Sequence, residues 1–90
     1  MINIIYISSS WCGPCKMMKP IFNKFVEAQG DKITSEIVNA DENQELLAKY
    51  AVRNIPTFIF EQDGEVVEKV VGVISLIKLE EIVAKYESKN

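Results

Sequence analysis

Residues 11–16 read Trp11-Cys12-Gly13-Pro14-Cys15-Lys16, and the fold is read outward from them. Upstream, Ile2-Asn3-Ile4-Ile5-Tyr6-Ile7 is β-branched and nearly all apolar, which suits a central strand buried on both faces. Ser8, Ser9 and Ser10 break that run. Downstream, Met18, Ile21, Phe22 and Phe25 recur at helical spacing, with Met17 and Val26 beside them, and predict a helix over 13–29. Gly30 is a natural stop. Pro20 has no N–H to give and predicts a kink inside the helix.

Further along, residues 33–39 read as a second strand. Asp41 is expected to cap a helix over about 42–51, with Gln44 completing a capping box. Leu46, Leu47 and Tyr50 form its apolar face. Residues 57–61 predict a third strand, Asp63-Gly64 a hairpin turn and Val66–Val71 the returning strand, which Gly72 ends. Ser75 caps a last helix over 76–87, whose buried stripe is Leu79, Ile82, Val83 and Tyr86. The order βαβαββα describes an α/β domain with a four-stranded mixed sheet and helices on both faces. Its first two strands are parallel and joined by a right-handed crossover. No repeat, linker or low-complexity stretch interrupts it, so residues 1–90 are read as one domain.

Composition narrows the function classes. Ninety residues, 48% of them apolar, leave room for one compact domain. Two cysteines form at most one bridge, and a bridge across two residues closes too small a loop to stabilise much. Net charge is −3 and the ten basic residues are scattered, which argues against a nucleic-acid or anionic membrane partner. No apolar run approaches the ~18–20 residues of a membrane span. Met1–Ile7 has no basic start and is read as strand rather than signal peptide. The compartment is read as cytoplasmic by default, with a phage or organelle setting left open.

Chemistry concentrates at the cysteine pair. Cys12 falls where the first helix begins, among N–H groups without intrahelical partners and at the positive end of the helix dipole. A stabilisation of ~1–2 kcal/mol there is roughly one pKa unit or more, enough to ionise much of a thiol that starts near ~8.5. Lys16 adds a positive charge, and Pro14 suits the first helical position. Cys12 is expected to sit exposed at the helix start, and Cys15 one turn in, less exposed, within reach of Cys12. Cys12 is thus the expected nucleophile and Cys15 the resolving thiol. Two bland alternatives stand beside this. A structural zinc site needs about four ligands, and the chain offers two cysteines and no histidine; inert core cysteines are the other. Pro56, in Ile55-Pro56-Thr57, either starts an edge strand or makes a cis bond that turns the chain close to the cysteines.

Residues 11–16 resemble the thioredoxin active-site motif letter for letter. Pro20 falls where thioredoxins kink their active-site helix. Ile55-Pro56-Thr57, preceded by Tyr50-Ala51-Val52-Arg53, is similar to the family's cis-proline loop. Asp63-Gly64-Glu65 resembles its hairpin, and Gly72 its flanking glycine. The resemblance covers nearly the whole chain. It implies a protein-disulfide reductase working through Cys12 and Cys15, with no bound cofactor beyond that redox pair and no metal. Trp11, Gly13, Ile55, Pro56 and Gly72 would line an apolar patch that docks protein substrates, with the Ile55 backbone pairing to the bound peptide. Electrons would come from a thioredoxin reductase using NADPH.

The chain departs from the family at three places. The chain is read as lacking the strand and helix that usually precede the first strand. The residues at 34–39 should then form a sheet edge, so the chain is read as a monomer for which weak edge-to-edge dimers are allowed. Tyr6 stands six residues before Cys12, where the family places a buried aspartate. Ile37 stands where a lysine pairs with that aspartate. A phenol with a pKa near ~10 is a poor base at neutral pH, so turnover should rise with pH across the neutral-to-alkaline range. The rival readings are a glutaredoxin-like or isomerase-like redox protein, which the short chain favours, and a non-catalytic binding module on the same fold.

Overall fold

The computed structural model describes residues 1–87. Strands β1 (Ile2–Ser8), β2 (Ile33–Asn39), β3 (Thr57–Gln62) and β4 (Glu65–Val71) form one sheet in the order β2-β1-β3-β4. Helices α1 (Gly13–Gln29), α2 (Gln44–Lys49) and α3 (Leu76–Glu87) complete the expected βαβαββα order. β1 runs parallel to β2 and antiparallel to β3, and β3 and β4 form an antiparallel hairpin. β2 is an edge among the described residues, as expected, and Ile37 on it is 47% exposed.

Alternation along β1 divides its side chains between two cores. Ile2, Ile4 and Tyr6 join Phe58 and Phe60 of β3 against Met18, Phe22 and Phe25 of α1 and Leu79, Ile82 and Val83 of α3. Ile5 and Ile7 join Ile59 on the opposite face, where Leu46, Leu47 and Tyr50 of the α2 region cover them. Helices therefore lie on both faces, and β1, flanked by β2 and β3, carries the loop that leads into the cysteines.

Local chemistry explains most boundaries. Pro14 sits in the first turn of α1, and the helix continues on both sides of Pro20. Gly30 ends it at φ 57°, its N–H bonded to the Val26 carbonyl. Asp63 and Gly64 both take positive φ, the geometry of the tight hairpin turn. The Ser75 hydroxyl accepts the Lys78 N–H at 3.1 Å and caps α3.

The region before α2 corrects the expected capping box. Residues Ala40–Glu42 form a 3-10 turn, α2 spans only Gln44–Lys49, and Asn43 stands at its cap. The Asn39 side chain accepts the Asp41 N–H at 2.9 Å, tightening the chain one turn early. The Asp41 carboxylate is taken by Trp11 instead of the helix. At the far end Ala51 takes a positive φ of 54°, and the Lys69 ammonium of β4 donates to the carbonyls of Tyr50 and Ala51. No helix among the described residues is long and apolar enough to cross a membrane.

Candidate active site

Where β1 ends, the serine loop delivers Cys12 to the N-cap of α1 in extended conformation. Its Sγ accepts the Cys15 N–H at 3.3 Å. Cys12 and Cys15 are joined by a disulfide, their Cα atoms 5.3 Å apart. The N–H contact and the helix terminus both favour a thiolate at Cys12 once the bridge is reduced.

One expectation is corrected. Cys12 is not exposed at the helix start: it is 4% exposed and Cys15 2%. Trp11, 69% exposed, is what faces solvent beside the pair.

The Trp11 indole N–H donates to the Asp41 carboxylate at 2.8 Å. Trp11 shares a cleft of about 270 Å³ with Ile55, Leu47, Val52 and Arg53. The Ile55–Pro56 bond is cis. The Pro56 carbonyl accepts the Gly72 N–H at 2.8 Å, and Gly72 takes a φ of 98° that disfavours a side chain. Ile55, Pro56 and Gly72 thus form one group, joined to Trp11 through the cleft. A Cβ added at Gly13 would meet nothing within 4 Å, so no packing inside the chain demands glycine there. Lys16 is exposed and lines a different cleft, beside Cys15.

Tyr6 points under the cysteine pair, as its place on β1 predicts. Its hydroxyl donates to the Cys15 backbone carbonyl at 3.1 Å rather than to a sulfur. The fully buried ring lies 4.9 Å from Phe22 and 4.7 Å from Phe58 between centroids. Burial pushes the phenol pKa up, and a hydrogen bond with Ser8 opposes that rise. The sheet register sets Tyr6 against Ile37.

Two site residues carry no signal in the sequence. Asp41 holds Trp11, thirty residues away, a pairing with no local pattern. Ser9 is 8% exposed, and its hydroxyl has no hydrogen-bond partner among the described residues. Nor do the described residues group three or more histidine, cysteine or acidic side chains where they would hold a metal.

Known proteins resemble the chain throughout this framework. The family model described as Thioredoxin matches residues 2–85. Thioredoxin of Bacillus subtilis is 45% identical over 76 residues, which cover 84% of this chain and 73% of that protein. Thioredoxin of Staphylococcus saprophyticus is 36% identical over 85 residues, covering 94% and 82%. The solved structure of a mutant thioredoxin from Halobacterium salinarum superposes with a TM-score of 0.87 at 35% identity, covering 94% of this chain and 74% of that one.

Proposed function

Since the chain belongs to the thioredoxin family and is a thiol–disulfide oxidoreductase with disulfide reductase activity, we propose that Cys12 attacks disulfides of protein substrates and that Cys15 resolves the product. The Cys12 thiolate bonds to one sulfur of the target, whose disulfide breaks and whose other sulfur leaves as thiolate. Cys15 then attacks Cys12, closing the internal bridge and releasing the second target thiol. The target gains two electrons and the cysteine pair loses them. The observation that carries this reading is the Cys12–Cys15 bridge at the start of α1, with the Cys15 N–H on Cys12 Sγ.

Trp11, Gly13, Ile55, Pro56 and Gly72 are the proposed docking surface. The cleft shared by Trp11 and Ile55 and the open space at Gly13 support it. Pro14 and Lys16 support the helix start. An NADPH-dependent thioredoxin reductase is the proposed electron source, the cytoplasm the proposed compartment, and one domain over residues 1–90 the proposed unit, of which 88–90 lie outside the described residues.

The test is insulin reduction by the wild type, Cys12→Ser and Cys15→Ser, with reductase and NADPH in one arm and glutathione in the other. Both variants should lose turnover. Cys15→Ser should accumulate mixed disulfides with targets and Cys12→Ser should not. Trapping by Cys12→Ser instead would reverse the assigned roles. Faster turnover with glutathione would move the electron source to the glutaredoxin type.

A further inference from the structure

A second cleft, of about 340 Å³, opens beside the cysteine pair between the serine loop, the first turns of α1 and edge strand β2. Cys15, Ser9, Lys16, Lys19, Ile37 and Asn39 are among its lining residues. No carboxylate lines it, and the sequence has no histidine. The charged groups facing it are therefore the two lysines of α1; the serine loop and β2 contribute none. Lys16 and Lys19 are exposed and form no ion pair among the described residues. Ser9 belongs to the same lining, but its hydroxyl oxygen is itself closed off from solvent and has no partner among the described residues.

The resolving step requires Cys15 to lose a proton. Tyr6 cannot take it at neutral pH: its hydroxyl is committed as a donor to the Cys15 carbonyl, and burial holds the phenol neutral. We propose that the cleft admits a small oxyanion base from solvent, drawn by Lys16 and Lys19, and that this base deprotonates Cys15, which lines the same cleft. The base takes the proton from Cys15 Sγ. The freed electron pair forms the bond to Cys12 Sγ, and the bond from Cys12 to the target sulfur breaks. The target sulfur leaves with that pair and is protonated. An external base thus does the work that an internal carboxylate would otherwise do. The inference rests on the roles proposed for Cys12 and Cys15.

The test mixes reduced protein with an aromatic disulfide whose two halves are coloured when released as thiolates. Attack by Cys12 releases one half in a phase that depends on the reagent concentration. Attack by Cys15 releases the other in a first-order phase. Replacing chloride by phosphate at constant neutral pH and ionic strength should speed the second phase about fivefold and leave the first unchanged. Lys19→Gln should lower the phosphate slope about threefold more than the slope for the neutral base imidazole. A second phase indifferent to both bases overturns the inference and leaves the cysteine roles standing. Equal losses of both slopes in Lys19→Gln overturn the part given to the lysines. Release of both halves by Cys15→Ser overturns the roles themselves.

Discussion

On the face covered by α1 and α3, four phenylalanines and Tyr6 interlock with aliphatic side chains, and Tyr6, Phe58 and Phe60 have no exposed surface. On the face covered by α2, the buried set is Ile5, Ile7, Ala40 and Ile59, and the side chains closing over it are only half-buried. The first face holds the helix that carries the cysteines. The second holds the cleft where Trp11 and Ile55 meet, and its short helix is tied down by polar contacts such as Lys69 on the last carbonyls. The thick face fixes the cysteine pair, whereas the thin face carries the cleft proposed to dock substrates. A site of this kind gains precision from one side of the sheet and access from the other.

Substitutions can break or sharpen that contrast. Phe58→Ala empties the centre of the thick face and should cost about 3–5 kcal/mol in denaturant unfolding, whereas Leu47→Ala, half-buried on the thin face, should cost about 1–2 kcal/mol. Equal losses would mean that the two faces share one cooperative core and the distinction fails. Tyr6→Phe keeps the ring stack and removes the hydroxyl from the Cys15 carbonyl. It should cost about 1 kcal/mol and change the rate of disulfide reduction little. A collapse of the rate at unchanged stability would give the phenol a chemical role.

The two faces also differ in how far the amino-acid sequence reveals them. Helix α1 is legible because its signals are local: Pro14 near the start, Gly30 at the end and an apolar stripe between them. β1 is legible as doubly buried because an almost wholly apolar β-branched run has few other homes. The orientation of Tyr6 follows from strand alternation. The short helix on the thin face defeats the same reasoning because its start depends on competition. Asn39 takes the Asp41 N–H and Trp11 draws the Asp41 carboxylate to itself, so Asp41 is turned toward Trp11 rather than toward the helix start. The burial of Cys12 is hidden as well, because it depends on how the loop and the bridge pack in the folded chain and not on position along a helix.

Two smaller effects test the thin face further. Ala51 holds a left-handed φ of 54° at the end of α2. Ala51→Gly should relieve that strain and raise stability by about 0.5–1 kcal/mol, net of the added freedom of the unfolded chain. A loss would show that the methyl packs usefully. Tyr50 donates to the Glu61 carboxylate at 2.7 Å, and its pKa is pushed up to about 12, first by that bond and then by burial. The folded state thus favours the neutral phenol. Its contribution is complete below pH ~10, the ordinary tyrosine value, and disappears as pH rises through about 12. Tyr50→Phe should lower stability by a few tenths of a kcal/mol at neutral pH, and the gap to the wild type should close in alkaline unfolding curves. A gap that widens with pH would contradict the sign.

The sheet register has a consequence for how the chain is made. β1 pairs with β2 from Ile2↔Ile33 onward, but on its other side it pairs Ile2 with Gln62. A ribosome releases the isoleucine-rich β1 early and Phe58, Ile59 and Phe60 much later, an interval on the order of several seconds. Throughout that interval β1 can be shielded on one edge only, by β2 across the α1 crossover. The nascent chain therefore carries an open, sticky edge until the hairpin emerges. Slowing translation between the codons for Asn39 and Thr57 should prolong that exposure.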